Sequence, residues 1–117
     1  MPTRLLSSSV LKWPDAETVH TKVIQWADQL AKMRDDIIRI GYFGSYATNN
    51  WGVGSDLDII IIVKDSDKPF QKRSVDWDTT ELPVSADVLT YTKEEWENLD
   101  KQSRFYKTLS TEVVWLY

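Results

Sequence analysis

The sequence predicts one domain of the α/β (α+β) class. Three observations carry this. Apolar residues recur at three- and four-residue spacing over the first third of the chain, the signature of a helix with one buried face. Two β-branched runs follow, each bounded by glycine or polar residues. A third β-prone run is closed by Thr92-Lys93-Glu94-Glu95, a capping box that starts another helix. At 117 residues the chain has room for one core and no second large domain.

Taken in order, residues 1–14 read as an N-terminal arm, with a brief element at 10–13. Residues 15–117 form the single domain. Pro14 and Asp15 suit a helix start, and Glu17 sits in the positive first turn. Val19, Val23, Trp26, Ala27 and Leu30 make the apolar face, and the helix ends within 33–36. Residues 37–43 read as a strand that stops at Gly44. Residues 44–55 hold three of the four glycines and form a loop, with a helical turn starting near Ser45.

A second strand runs from 56 or 57 to 63. Ile59-Ile60-Ile61-Ile62-Val63 is apolar at every position, which requires cover on both faces and so a central place in the sheet. A polar turn occupies 64–69, and 70–81 has room for a short helix. Pro83 opens a third strand over 84–91, and the capping box starts a helix through 99 or beyond. A short helix covers 103–109. The tail 112–117 is apolar and β-prone, either an extra strand or a segment that docks on a partner.

The net charge of −4 argues against broad binding to nucleic-acid backbones. With no cysteine, disulfides, thiolate metal sites and cysteine nucleophiles are excluded. No apolar stretch approaches the roughly 20 residues that span a bilayer, and the N-terminus lacks the apolar core of a signal peptide. The expected location is cytoplasmic. A homo-oligomer is left open.

Three features suggest chemistry. Gly44-Ser45 stands where a strand gives way to a helical turn. Glycine lets a ligand approach the backbone, and the amides that follow, with the Ser45 hydroxyl, can hold an anion. Read alone, the same pair is an ordinary turn. Asp56 and Asp58, two apart at a strand start, project to one face. Their repulsion is relieved either by solvent at a strand end or by a hard divalent cation such as Mg²⁺. Asp87 lies mid-strand, on the face of Ser85 and Leu89 and opposite Val84, Ala86 and Val88. If its strand neighbours 57–63, it meets Asp58; otherwise it sits on an edge or pairs with a cation such as Arg39.

In order, Gly-Ser, ten intervening residues, Asp-x-Asp and a later lone Asp resemble the DNA polymerase β-like nucleotidyltransferase superfamily. More closely, Gly44-Ser45-Tyr46-Ala47, Ser55-Asp56-Leu57-Asp58-Ile59 and Ala86-Asp87-Val88 resemble the minimal nucleotidyltransferases, antitoxins paired with HEPN-domain toxins. The resemblance implies a mixed β-sheet flanked by helices. It implies that Gly44, Ser45 and Ser55 bind the nucleotide triphosphate, and that Asp56, Asp58 and Asp87 bind Mg²⁺ and are catalytic. ATP would be the substrate and AMP the transferred group. The acceptor would be a tyrosine hydroxyl on the HEPN partner, since the chain has no room for a domain of its own to hold one.

Two positions depart from the family pattern. Thr48 and Asn49 stand where many relatives have Arg and Gly, so an arginine phosphate clamp is missing. Lys64, Lys68 and Arg73 could substitute, but each reads as a solvated surface residue. Trp51 either stacks on a base or caps the core. His20 reads as a surface residue on the helix flank. Trp13, Trp77, Trp96 and Trp115 exceed what a small core needs, and tryptophan favours partner surfaces. The alternative function is a binding module that neutralises its partner by occlusion without catalysis. Transfer to an RNA end or to a small molecule such as an aminoglycoside fits less well, because of the acidic charge and the small size.

Overall fold

The computed structural model describes residues 14–117. The element expected at 10–13, Trp13 and all of the arm but Pro14 lie outside the described residues. Helix α1 spans Ala16–Met33 and is capped by Asp15, whose carboxylate accepts from the Thr18 amide at 2.8 Å. Glu17 sits at its positive end and Lys32 in its last turn. Val19, Val23, Trp26 and Ala27 are buried, as the spacing requires. Each large apolar side chain so placed contributes about 1.5–3 kcal/mol.

Strands β1 (Ile37–Phe43), β2 (Leu57–Val63), β3 (Ala86–Thr92) and β4 (Val114–Trp115) form one mixed sheet in the order β3-β2-β1-β4. β1 runs antiparallel to β2 and to β4, and β2 runs parallel to β3. A parallel pair needs a long crossover. Residues 64–85 supply it, including a 3₁₀ segment, Phe70–Asp76. Helices α2 (Lys93–Glu97) and α3 (Arg104–Glu112) follow β3.

The central position of β2 gives its unbroken apolar run two destinations. Leu57, Ile59, Ile61 and Val63 pack with Ile40, Tyr42 and the buried face of α1. Ile60 and Ile62 point the other way, against Leu109 of α3, Trp96 and Trp115. The first face is the main core and the second a smaller one.

The element limits differ in places from the sequence expectation. β3 begins at Ala86 rather than 84. Val84 is buried ahead of it, and pairing opens where the Leu57 amide donates to the Ser85 carbonyl at 2.8 Å. The capping box at Thr92 and Glu95 forms, yet α2 ends at Glu97. The Asn98 and Leu99 amides close a turn onto the Glu94 and Trp96 carbonyls instead. α3 starts from a Ser103 cap and runs to Glu112, past the expected 109. Of the two readings of the tail, it adds strand β4 beside β1.

Several side chains read as surface or partner residues are otherwise engaged. Arg73 is 5 % exposed and bonds Glu95, the Thr90 carbonyl and the Lys68 carbonyl. His20 is half-buried, its Nδ1 2.5 Å from the Tyr42 hydroxyl. Among the described residues no tryptophan is exposed. Trp77 is buried and donates to the Thr90 hydroxyl. Trp96 and Trp115 meet edge to face, with ring centres 6.0 Å apart.

Candidate functional site

The end of β1, the start of β2 and the start of β3 lie side by side, because β1 and β2 are antiparallel and β2 and β3 parallel. Gly44, Ser45, Ser55, Asp56, Asp58 and Asp87 all fall at this end of the sheet. Phe43 is opposite Asp58, and Asp58 is opposite Asp87. Asp58 and Asp87 therefore share a face, the one carrying Ile60, Ile62 and the smaller core. Asp56 stands one residue before β2 and two before Asp58.

Gly44 closes β1 with φ of +80°, a left-handed conformation that glycine adopts freely. It also lies so close to Asp58 that a Cβ there would overlap the Asp58 Oδ2. Glycine is thus favoured by backbone conformation, and a larger residue would also have to displace the Asp58 carboxylate. The helical turn expected at Ser45 is a single 3₁₀ turn, Gly44–Tyr46. The Ala47 and Thr48 amides both fold back onto the Gly44 carbonyl at 3.0 Å, so they are spent on the turn.

The loop that follows is fixed by its own side chains. Tyr46 is buried and stacks on Trp51, with ring centres 5.9 Å apart and planes 10° from parallel. This favours the capping reading of Trp51 over a base-stacking one. The Ser55 hydroxyl accepts from the Gly52 amide at 2.8 Å, and the Ser55 amide donates to the Gly52 carbonyl at 3.0 Å. Ser55 therefore holds the turn that delivers Asp56 and Asp58.

The departures at 48 and 49 acquire physical content. Asn49 has φ of 63°, so it meets the conformational demand that glycine would meet. Thr48 donates its hydroxyl to the Gly44 carbonyl at 3.0 Å and supplies no charge. Lys64 follows the far end of β2, about 20 Å from Asp58 at a strand rise of about 3.3 Å per residue. Lys68 pairs with Asp76 at 2.9 Å, and Arg73 is committed to Glu95. These cations do not replace an arginine clamp.

The site is strongly negative. Asp58 is half-buried, and its carboxyl is pushed above the usual carboxylate range, first by burial and then by Asp87, Asp56 and Glu112. Among the described residues none of these four carboxylates forms an ion pair. Arg39, one candidate partner for Asp87, instead lies over the Trp115 ring at 3.6 Å. Glu112 was not legible as a site residue. It ends α3, and its Oε1 accepts from the Gly44 amide at 3.2 Å, a contact between residues 68 positions apart.

Hard oxygen donors and uncompensated negative charge are the chemistry that suits a divalent cation such as Mg²⁺. Among the described residues no three acidic or histidine side chains are yet drawn together closely enough to hold an ion. The oxygen donors present are of the kind such an ion takes, without a formed three-ligand group.

The family described as nucleotidyltransferase domain matches residues 23–110, which take in Gly44, Ser45, Ser55, Asp56, Asp58 and Asp87 and stop short of Glu112. Two solved structures share the fold. One is a candidate nucleotidyltransferase from Sulfolobus solfataricus, 14% identical, with a TM-score of 0.60, covering 86% of this chain and 80% of that one. The other is a toxin–antitoxin structure with AMP-PNP, 17% identical, with a TM-score of 0.56, covering 83% of this chain and 71% of that one. No curated protein sequence matches.

Proposed function

The chain belongs to the nucleotidyltransferase domain family, and on that premise we propose that it moves AMP from ATP to a hydroxyl on a partner protein, silencing that partner as an antitoxin. The partner we propose is a HEPN-domain toxin and the acceptor a tyrosine. The observation that carries the reading is the parallel register that sets Asp58 beside Asp87, two positions from Asp56, with Gly44 packed against Asp58. A solved toxin–antitoxin structure with AMP-PNP that shares this fold supports the ligand and the setting.

In this mechanism Gly44, Ser45 and the Ser55 turn receive the triphosphate. Asp56, Asp58 and Asp87 would hold Mg²⁺, which when bound supplies positive charge to the attacking and leaving oxygens. Asp87, exposed at the sheet edge, takes the proton from the acceptor hydroxyl. The hydroxyl oxygen bonds to the α-phosphorus as the bond to pyrophosphate breaks in line. Positioning and electrostatics carry most of the acceleration. Asp56 and Asp87 are exposed at this end of the sheet, which suits an acceptor presented by another protein. Among the described residues no helix is long and apolar enough to cross a membrane, and a cytoplasmic site of action accords with the use of ATP.

The test is transfer of label from α-labelled ATP to a co-purified HEPN protein in Mg²⁺, with Asp58→Asn alongside. Label on the partner with wild type and none with the variant supports the reading. Equal labelling by both would sink it.

A second reading rests on Thr48, whose hydroxyl is bonded to backbone and supplies no charge at the position where the family resemblance leads one to expect an arginine. The domain would then neutralise its partner by occlusion alone. Inhibition of the partner by Asp58→Asn as complete as by wild type, with no label transferred by either, favours it.

A further inference from the structure

We infer that Glu112 is a charge gate on the nucleotide site: its carboxylate occupies the Gly44 amide that a triphosphate would use, and it must leave before the triphosphate binds. The inference rests on the reading of Gly44-Ser45 as the triphosphate element and adds a residue outside the stretch matched by the family.

The contact is built into the fold. Glu112 is the last residue of α3, and the Val113 amide donates to the Leu109 carbonyl at 2.8 Å, which ends the helix there. The next two residues form β4, pairing Val114 with Tyr42 and Trp115 with Gly41. The chain is therefore pinned against the end of β1 immediately after Glu112. Its half-buried side chain reaches Gly44 from this fixed base, with Oε1 3.2 Å from the Gly44 nitrogen. Phe43 and Gly44 are in turn set against Asp58.

Two consequences follow from elementary chemistry. One amide hydrogen cannot serve a carboxylate and a phosphate oxygen at full strength, so the ligand must displace Glu112. A carboxylate left beside an incoming polyphosphate also repels it. Both effects weaken polyphosphate binding, and neither acts on an uncharged nucleoside. Glu112→Gln removes the charge and keeps an oxygen that can accept from Gly44. Glu112→Ala removes both charge and acceptor.

The experiment is calorimetric titration of the full chain and both variants with ATP, inorganic pyrophosphate and adenosine, each with Mg²⁺. The expected result is tighter binding of ATP and pyrophosphate by both variants, about fivefold for loss of one nearby like charge, with adenosine unchanged. Variants that bind ATP no more tightly than a wild type that does bind it overturn the gate and leave the nucleotide reading standing. An equal gain for adenosine also overturns the gate, since it reports general loosening. Failure of every form to bind ATP overturns both the gate and the reading beneath it.

Discussion

Asp58 and Asp87 face each other in register across the parallel strands β2 and β3. Of the two, Asp58 is the half-buried one, and its carboxyl is held above the usual range by burial and by three negative neighbours. The sign of the linkage is set by that direction. The folded state binds this proton more tightly than the unfolded chain, so stability falls as pH rises through the interval between the ordinary and the raised value. At neutral pH the ionised side chain therefore costs stability. Asp58→Asn is expected to raise Tm at neutral pH while removing nucleotide transfer. Mg²⁺ is expected to raise the Tm of wild type and leave that of the variant unchanged. Thermal melts of both proteins with and without Mg²⁺ check this; a variant that melts below wild type contradicts it.

Gly44 and Gly54 form a matched pair of left-handed glycines, with φ of +80° and +89°. A Cβ at Gly44 overlaps Asp58, whereas one at Gly54 meets nothing within 4 Å. Gly54→Ala is expected to cost about 1 kcal/mol, the backbone strain alone. Gly44→Ala adds displacement of Asp58 to the same strain and is expected to cost at least twice as much, with loss of transfer. Denaturant melts of the two variants measure the difference, and equal costs would mean that Asp58 yields freely.

Arg73 shows where stability, rather than chemistry, is concentrated. Its guanidinium bonds Glu95 through two nitrogens and reaches the Thr90 and Lys68 carbonyls. Arg73→Met is expected to destabilise by about 2–3 kcal/mol, because the buried Thr90 carbonyl loses its donor while the Glu95 side chain keeps some solvent. Glu95 is held below its usual range, chiefly by the hydrogen bond from Arg73. Its contribution is present above its unfolded pKa and is lost as pH falls through the lower folded value. The stability of wild type should fall over that acid interval more steeply than the stability of Arg73→Met. Parallel pH profiles for the two would refute the assignment.

Asn49 tests whether the departure from glycine matters. With φ of 63°, Asn49→Gly is expected to change stability by less than about 0.5 kcal/mol, and Asn49→Val to cost about 1–2 kcal/mol. Chemical denaturation separates the two. If valine is as well tolerated as glycine, the 44–55 loop does not depend on this conformation.

Much of this was legible in the sequence, for identifiable reasons. Local signals were reliable: the apolar spacing of α1, the all-apolar run of β2, and the Thr92–Glu95 capping box each report a short-range physical demand. The placement of Asp58 beside Asp87 was legible only as a conditional, because strand neighbours are set by topology rather than by local pattern. Residues defined by long-range contact were not legible. Arg73 resembles a surface cation until the Thr90 carbonyl and Glu95 are brought to it. Glu112 resembles a helix-end carboxylate until β4 pins it beside Gly44. The tryptophans suggested a partner surface because composition counts side chains and does not say which of them meet. Trp26 and Trp77 pack in the main core, while Trp96 and Trp115 meet on the opposite face of the sheet.

Nucleotide binding at Asp58 is read directly by calorimetric titration of the chain with ATP, with and without Mg²⁺, for wild type and Asp58→Asn. Wild type is expected to bind in a manner that requires Mg²⁺, with binding lost, or weakened at least tenfold, in the variant. Binding that is equal in the two proteins, or indifferent to the metal, would contradict it.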